Sequence, residues 1–131
     1  MKEFELVYIV EDDWITSTVT ELLIKQHHAF GRVQKCSNGQ IALEALQQGA
    51  KQTAEVPDLI LLDLNMPVMD GWEFLDAFSG LALQKSVRVC VLTSSIHPED
   101  IEKSKSYKEV KGYFAKPLDN GMLDQMVQLL G

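Results

Sequence analysis

The sequence has few of the features that mark a secreted, membrane-spanning or metal-cysteine protein. It contains two cysteines, Cys36 and Cys90, far apart and without the CxxC spacing of a zinc or redox site. No apolar run approaches the roughly 20 residues that a membrane helix requires, and the first residues do not resemble a secretory signal. We therefore expect a cytoplasmic protein with no membrane association, in which both thiols are buried as small hydrophobic side chains.

Basic residues are also scarce. The chain has 12 lysines and arginines against 19 aspartates and glutamates, which gives a net charge of −7. Duplex binding depends on Lys and Arg contacts to phosphates, so this charge argues against nucleic acid as a partner. A loose lysine group between residues 103 and 111 is interpreted as the solvated face of a helix.

The pattern that is present alternates strands with helices. A chain of 131 residues with 46% hydrophobic content is long enough for one globular domain. Apolar strand candidates lie near residues 5–10, 32–36, 58–63, 87–93 and 112–115, and a helical pattern follows each one. Strands separated by helices predict βαβ units in a parallel sheet with right-handed crossovers. The pattern uses the whole chain, so we expect one domain over residues 1–131.

Several helices have identifiable starts and faces. In the first, Ile15, Val19, Leu22 and Leu23 recur at helical spacing, a pattern typical of an amphipathic helix, which we expect to end near residue 31. The second and third helices are predicted to begin at a capping box from Ser37 to Gln40 and at an Asp70 cap. For the last helix, one face is predicted to carry the apolar side chains Met122, Met126, Leu129 and Leu130.

Two helical features are more unusual. The fourth helix, predicted over residues 98–109 with Pro98 in its first turn, is polar apart from Ile101 and Tyr107. A helix with so thin a packing face should be the least firmly held part of the fold. His27 and His28 end the first helix, where cations suit the helix dipole, and we interpret both as surface residues.

Chemically active residues follow four of the strands. The acids Glu11, Asp12 and Asp13 come after the first strand, Asp63 ends the third, Thr93 ends the fourth and Lys116 follows the fifth. In an open parallel sheet these carboxyl ends share one edge, where ligands bind. Carboxylates brought together repel unless a cation or a proton intervenes, and oxygen ligands in an open site suit Mg²⁺. Each residue alone also has an ordinary explanation, such as a helix N-terminus for the acids.

Together these residues resemble the receiver domain of two-component response regulators. The similar stretches are VEDD at 10–13, LLDLNMPVMDG at 61–71, LTSS at 92–95 and YFAKPL at 113–118. The resemblance covers essentially the whole chain and implies a doubly wound (βα)5 α/β fold. Its parallel five-stranded sheet would have the flavodoxin-like order 2-1-3-4-5. Because the pattern occupies residues 1–131, we expect a stand-alone receiver domain with no output domain.

The resemblance further implies a role for each site residue. Asp63 would accept the phosphoryl group from a phosphohistidine. Asp12 and Asp63 would ligate Mg²⁺ together with the backbone carbonyl of Asn65, and Glu11 would act through a water. In most family members an Asp stands where this chain has Glu11, so the side chain here has a longer reach.

The remaining implied roles concern the response to phosphorylation. Lys116 would pair with Asp63 and later with a phosphoryl oxygen, while the Thr93 hydroxyl would bind another oxygen. Thr93 and the aromatic Tyr113 would form the switch, which changes the surface of the fourth helix, fifth strand and fifth helix. The bond between Lys116 and Pro117 is expected to be cis. The connection over residues 49–57 is longer than in many members.

The expected partners are a histidine kinase or histidine phosphotransfer protein and an unknown downstream target. We expect a monomer or a weak phosphorylation-linked dimer. The protein would catalyse its own phosphorylation and dephosphorylation without being a free-standing enzyme. Two alternatives are an Asp-nucleophile phosphohydrolase, which would favour an acid where Asn65 stands, and a docking module that works without phosphorylation. Degenerate receivers of the second kind usually lose the Asp, the Lys or an acid, all of which are present here.

Overall fold

The computed structural model describes residues 3–49, 55–83 and 85–130. Within these residues five strands alternate with five helices. They are β1 (Phe4–Val10), α1 (Trp14–Gln26), β2 (Phe30–Cys36), α2 (Gly39–Gly49), β3 (Leu59–Leu62), α3 (Gly71–Ser79), β4 (Arg88–Thr93), α4 (Pro98–Ser104), β5 (Val110–Ala115) and α5 (Asn120–Leu130). None of the helices in the described part of the chain has the length and apolar character needed to cross a membrane.

The five strands form one parallel sheet in the order β2-β1-β3-β4-β5, which confirms the predicted topology. Val10 at the end of β1 pairs with Cys36 of β2 and with Leu62 of β3, so these three strands end level. From β1 the chain first adds β2 on one side and then crosses to add β3 on the other side, so the strand order reverses between β1 and β3. A crevice beyond the carboxyl ends of the strands is expected at that point.

Two hydrophobic cores lie on opposite faces of the sheet. Side chains of β1 alternate between them, since successive strand residues point to opposite faces. Tyr8 packs in a cluster that includes Leu46 of α2 and Phe74 of α3. Ile9 packs in a second cluster, which includes Met126 of α5. The fold is therefore doubly wound, with helices on both faces of a buried sheet.

Helix capping differs in part from the prediction. Asp70 caps α3 in a full capping box, since its carboxylate accepts from the Glu73 N–H (2.9 Å) and the Glu73 carboxylate accepts from the Asp70 N–H (3.1 Å). The capping box predicted from Ser37 to Gln40 is wrong. The Oδ1 of Asn38 accepts from the Ile41 N–H (2.9 Å) at the start of α2. Asn is as good an N-cap as Ser, which moves the start of the helix by one residue.

The apolar stripe of α1 points away from the sheet. Ile15, Val19 and Leu22 are 67%, 49% and 55% exposed, whereas the buried residues of this helix are Ser17, Thr20 and Ile24. The helix also ends at Gln26, earlier than predicted. The helical period is present, but the side that meets the sheet carries Ser17, Thr20 and Ile24, and of the predicted stripe only Leu23 packs against the core.

Two further side chains are not where the sequence placed them. His27 was predicted at the surface but is buried, and its Nε2 lies 2.8 Å from Asp124 Oδ1 of α5 while its Nδ1 accepts from the Ala29 N–H at 3.2 Å. Leu129, predicted to share one face of α5 with Met122, Met126 and Leu130, is 59% exposed. The buried residues of α5 are Leu123, Met126 and Leu130.

The fourth helix is short and poorly buried. It spans only Pro98–Ser104, with Pro98 in its first turn as predicted, and Ser104 is its single buried residue. The predicted continuation to residue 109 was wrong, because the chain turns after Ser104 to enter β5. The thin packing face inferred from the sequence is therefore present in the fold.

Other local expectations are confirmed. Both cysteines are buried free thiols, and burial raises the pKa of Cys36 to about 11 and that of Cys90 to about 12. The peptide bond between Lys116 and Pro117 is cis. The long connection over residues 49–57 falls largely outside the described residues.

Candidate functional site

Backbone hydrogen bonds fix the site residues just beyond the strands. The Asp63 N–H donates to the last carbonyl of β1 (3.0 Å), the Glu11 N–H donates to the last carbonyl of β2 (2.9 Å), and the Lys116 N–H donates to the Thr93 carbonyl at the end of β4 (2.9 Å). Each bond continues the ladder of the sheet by one residue. The three side chains therefore begin from a rigid edge, which favours defined geometry between them.

Three carboxylates meet at this edge. One oxygen each from Glu11, Asp12 and Asp63 lies within 4.8 Å of the others. Glu11 and Asp63 are buried, at 6% and 5% exposure, whereas Asp12 is exposed. Three like charges this close are unfavourable without a cation. Carboxylate oxygens are the ligands that Mg²⁺ and similar hard ions prefer, so the donor set fits the predicted metal.

Lys116 supplies positive charge beside two of these acids. Its Nζ lies 3.3 Å from Asp63 Oδ2, as the sequence predicted, and it also forms an ion pair with Glu11 Oε1. The second contact was missed. The sequence feature that could have predicted this contact is the glutamate at position 11, whose side chain is one methylene longer than that of the aspartate that is usual there.

Burial and charge shift the ionisation of this pair. Burial, reinforced by the nearby charge of Asp63, raises the pKa of Glu11 to about 7, although the Lys116 and Asp13 N–H contacts oppose the change. Burial alone would lower the pKa of Lys116, but the hydrogen bond to Glu11 and the charges of Asp63 and Glu11 outweigh it and raise that pKa. Lys116 therefore stays a cation, whereas Glu11 can exchange its proton near neutral pH.

Thr93 is connected to helix α4 through Ser95. Thr93 is fully buried, and its hydroxyl oxygen accepts from the Ser95 N–H at 3.3 Å. The Ser95 hydroxyl donates to Asp100 Oδ2 in the first turn of α4 (2.5 Å), and the Ser95 carbonyl accepts from the Tyr113 hydroxyl (2.9 Å). Burial raises the pKa of Tyr113. The predicted switch residues are thus joined by a residue whose linking role the sequence did not indicate.

Asn65 lies exposed two residues after Asp63. Its backbone N–H donates to Asp63 Oδ1 at 3.5 Å.

Asp13 serves as the N-cap of α1, since its carboxylate accepts from the Thr16 N–H at 3.0 Å. A cavity of about 250 Å³ lined in part by Glu11, Asp12 and Trp14 opens next to the acidic cluster. The cluster is therefore accessible from one side.

Gly71 allows the segment after β3 to fold back onto α3. The Gly71 N–H donates to the Leu64 carbonyl at 3.0 Å. A Cβ at this position would lie 2.7 Å from the Asp63 carbonyl oxygen and 2.8 Å from the Leu64 Cα. Only glycine tolerates so close an approach to backbone atoms. Gly71 therefore belongs to the support of Asp63, although it carries no chemistry.

Comparison with known proteins agrees with this site. The family described as "Response regulator receiver domain" matches residues 7–128. A two-component response regulator from Cytophaga hutchinsonii has a similar structure, with a TM-score of 0.87, 27% identity and coverage of 98% of both chains. The Mn²⁺-bound form of response regulator Rcp1, a protein of Synechocystis, has a TM-score of 0.75 and 31% identity over 95% of this chain and 89% of that one.

A curated relative with a similar extent is sporulation initiation phosphotransferase F of Bacillus subtilis. It is 31% identical over 116 residues, which make up 88% of this chain and 84% of that protein. The fold, the acidic edge and these matches together define the class, and the chain belongs to the response regulator receiver family of two-component signalling. Receiver domains bind Mg²⁺ or Mn²⁺ at an acidic pocket and interact with histidine kinases or phosphotransfer proteins.

Proposed function

We propose that this protein is a phosphoacceptor switch in which Asp63 receives the phosphoryl group of a phosphohistidine. The donor is a histidine kinase or a histidine phosphotransfer protein, and the reaction depends on Mg²⁺. The phosphorylated form changes the surface of α4, β5 and α5 toward a downstream protein. The observation that carries the proposal is the convergence of Glu11, Asp12 and Asp63, with Lys116 in contact with two of them, at one edge of the sheet.

The chemical step is an in-line displacement at phosphorus. A carboxylate oxygen of Asp63 forms a new bond to phosphorus while the bond from phosphorus to the donor imidazole nitrogen breaks, and the electron pair leaves with the imidazole. The product is an acyl phosphate on Asp63. A carboxylate is a weak nucleophile toward another anion, so the surrounding positive charge must lower the barrier.

Lys116 and Thr93 are the chain's own contributions to that task. The Lys116 ammonium already lies 3.3 Å from Asp63 Oδ2, so it is positioned to pair with a phosphoryl oxygen once the group is attached. The Thr93 hydroxyl accepts one hydrogen bond from Ser95 and can donate its proton to a second phosphoryl oxygen. Charge-assisted hydrogen bonds of this kind are the stronger ones.

The acidic residues hold the metal in this proposal. Asp12 and Asp63 would ligate Mg²⁺ directly, the Asn65 carbonyl would complete the protein ligands, and Glu11 would act through a water. When bound, the ion supplies positive charge that offsets the approach of one anion to another. Two of these acids are buried and all three carry oxygen ligands close together, which supports a divalent cation.

Phosphorylation would reach the output surface through Ser95. When the Thr93 hydroxyl turns to the phosphoryl group, its bond with the Ser95 N–H is lost. Ser95 in turn holds Tyr113 and the first turn of α4. Because α4 has one buried residue, little packing opposes its displacement, and a small local change can shift its population.

The protein would act on itself and not as a free-standing enzyme. The acyl phosphate would form and hydrolyse at the same residues. A phosphohydrolase with an Asp nucleophile would favour an acid two positions after Asp63, and this chain has Asn65 there. A docking module that works without phosphorylation is not favoured, because Asp63, Lys116, Thr93 and the acidic pair are all present.

Phosphorylation by a small phosphodonor, titrated with Mg²⁺, tests the proposal. With acetyl phosphate we expect a mass increase of one phosphoryl group that needs Mg²⁺ and disappears with a chelator. Trp14, which borders the acidic cavity, should report Mg²⁺ binding by fluorescence even without a phosphodonor. Asp12→Asn should weaken the metal response and slow phosphorylation, and Asp63→Asn should abolish modification. Modification that is independent of Mg²⁺ would contradict the metal assignment.

A further inference from the structure

The first turn of α4 is linked to the preceding loop through Ser95. The Ser95 hydroxyl donates to Asp100 Oδ2 (2.5 Å), and the Ser95 carbonyl accepts from the Tyr113 hydroxyl of β5 (2.9 Å). The N-cap residue His97 makes no capping hydrogen bond through its side chain in the described part of the chain. Because the Ser95 N–H also donates to Thr93 Oγ1 (3.3 Å), a change at Thr93 reaches this end of the helix directly.

The last turn of α4 is attached to helix α3 instead. Trp72 and Asp76 are four residues apart on α3, so their side chains lie on the same face of that helix. The Nζ of Lys103, in the last turn of α4, lies 4.5 Å from the centre of the Trp72 ring. The Trp72 ring stacks on Tyr107, with centroids 6.0 Å apart, and the Tyr107 hydroxyl donates to Asp76 Oδ1 (2.7 Å). We call these four residues the α3–α4 clasp.

The α3–α4 clasp is continuous with the hydrophobic core. Trp72 and Tyr107 both pack against the core cluster on their side of the sheet, and Ser104, the buried residue of α4, lies in the same turn as the clasp. The hydrogen bond to Asp76 raises the pKa of Tyr107 to about 12, so the hydroxyl keeps its proton and stays a donor. Stacked rings and a cation over a ring each add to the stabilisation from buried apolar area. These contacts indicate that the last turn of α4 is held more firmly than the first.

A further contact follows the clasp along the same face of α3. Ser79 lies seven residues after Trp72, again at helical spacing, and its hydroxyl donates to Glu109 Oε1 (3.3 Å). Glu109 immediately precedes β5, and its carbonyl accepts from the Val89 N–H (2.9 Å) near the start of β4. The connection between α4 and β5 is therefore tied both to α3 and to the sheet.

We propose that α4 responds to phosphorylation by pivoting on the α3–α4 clasp, so that its first turn moves while its last turn stays on α3. The inference rests on the proposed function, since the release begins when the Thr93 hydroxyl turns from the Ser95 N–H to a phosphoryl oxygen. The part of the output surface that distinguishes the two states is then the first turn of α4 together with Tyr113. The connection after Ser104 is the same in both states, so a partner that contacts this connection alone does not sense the phosphoryl group.

A matched pair of tyrosines tests the clasp in the unmodified protein. Tyr107→Phe removes the hydroxyl bonded to Asp76, Tyr113→Phe removes the one bonded to Ser95, and each variant keeps its ring. Amide exchange is measured residue by residue by NMR at residues 100–101 and 105–107, whose N–H groups bond within the first and last turns. Tyr107→Phe should accelerate exchange about fivefold at 105–107, as expected for one net hydrogen bond, and leave 100–101 unchanged. Tyr113→Phe should show the reverse, and equal acceleration at both ends would overturn the proposal.

Beryllofluoride with Mg²⁺, a stable mimic of the phosphoryl group, tests the pivot itself. The amide resonances of residues 100–101 should shift when the mimic binds, whereas those of residues 105–107 should stay in place. Trp72 gives a second readout, because it is the one tryptophan left in Trp14→Phe protein, and its emission should not change. Displaced resonances at both ends of α4, or a shifted Trp72 emission, would overturn the pivot.

The same measurements separate the pivot from the phosphorylation proposal. A protein that responds to neither beryllofluoride nor acetyl phosphate overturns the role of Asp63 and the pivot together. A protein that is modified normally by acetyl phosphate but moves both ends of α4 overturns the pivot alone. Modification of Tyr107→Phe by acetyl phosphate should be as complete as in the wild type, because the clasp lies on α3 and the end of α4 and does not touch Asp63.

Discussion

At the scale of single residues, Lys116 is a cation that contacts both buried acids of the site. Its Nζ pairs with Glu11 and with Asp63, whose side chains are 5% and 6% exposed. Buried carboxylates without a partner are costly, since their desolvation is no longer offset. The stability of the metal-free protein should therefore depend on this lysine.

We predict that Lys116→Ala lowers the free energy of unfolding by about 2 kcal/mol near neutral pH in the absence of Mg²⁺. Mg²⁺ should restore much of the loss by neutralising the same acids. Urea unfolding measured with and without the metal checks both effects. The control Lys105→Ala removes an exposed ion pair with Glu102 and should change stability by less than about 0.5 kcal/mol.

The loss should also depend on pH. The Glu11 pKa is about 7 in the folded protein against an ordinary value of 4.5, so the folded state binds this proton more tightly than the unfolded state. The stabilisation that comes from this proton on Glu11 is therefore complete below pH 4.5, the ordinary pKa, and is lost as the pH rises through about 7, the pKa in the folded protein. Lys116→Ala should consequently be less damaging at about pH 5 than at about pH 8. An equal loss at both would contradict this role for Glu11.

Gly71, which packs against the backbone of Asp63, and Gly80, which does not, provide a test and its matched control. A Cβ at Gly71 would lie 2.7 Å from the Asp63 carbonyl oxygen, whereas a Cβ at Gly80 would meet its nearest neighbour at 3.6 Å. We predict that Gly71→Ala destabilises the protein by about 1–3 kcal/mol and slows phosphorylation by displacing Asp63. Gly80→Ala should be neutral or slightly stabilising. Thermal unfolding of both variants checks this prediction, and an equal change in stability for the two would be evidence against the close approach of Gly71 to the Asp63 backbone.

Some of these residues could be predicted from sequence and others could not. Asp63, Asp12 and Lys116 follow predicted strands, and parallel strands bring their carboxyl ends to one edge, so their proximity followed from topology. The contact between Lys116 and Glu11 and the burial of His27 depend on side-chain reach and on a partner distant in sequence. No local pattern in the chain encodes the Asp124 partner of His27.

At the scale of elements, α4 has the fewest buried residues of the five helices, so we expect it to be the least firmly held. One residue of the helix is buried, and its first turn is held by the bond from the Ser95 hydroxyl to Asp100. Its far end is held by surface contacts. Lys103 lies 4.5 Å from the centre of the Trp72 ring, which stacks on Tyr107, and the Tyr107 hydroxyl donates to Asp76.

We predict that Asp100→Ala increases hydrogen exchange in α4 and leaves the amides of β1 and β3 unchanged. The substitution removes a hydrogen bond of about 1 kcal/mol from a helix with little other packing, so local opening becomes more frequent. Glu102→Ala, on the exposed side of the same helix, is the control and should have a smaller effect. Wild-type α4 amides as protected as those of the central strands would contradict the weak attachment.

The helices also show which structural features periodicity can predict. The polar composition of α4 correctly indicated thin packing, because a helix with few apolar residues has little to bury. In α1 the helical period was predicted, but of its four residues only Leu23 packs against the core, whereas Ile15, Val19 and Leu22 are exposed. A period of 3.6 residues shows that apolar residues share one face of a helix, but it does not show whether that face packs against the sheet or lies in solvent. Ser17 and Thr20 share the buried side of this helix with Ile24, and three of the larger apolar residues are exposed.

At the scale of the whole molecule, strand order determines the function that is possible. Placing β1 and β3 side by side puts Glu11 and Asp12 beside Asp63, and placing β4 and β5 next in order adds Thr93 and Lys116 from the other side. This arrangement could be predicted because the alternation of strands and helices was regular along the chain. The partners could not, since they depend on surfaces whose direction the sequence does not show.

The most direct test of the central claim is to locate the phosphoryl group. The protein is incubated with Mg²⁺ and a phosphohistidine-carrying donor protein, digested, and mapped by mass spectrometry after trapping of acyl phosphates by reduction. We predict one modified residue, Asp63, and no modification in Asp63→Asn. A phosphoryl group found on another residue, or wild-type protein that stays unmodified with both a protein donor and acetyl phosphate, would contradict the account.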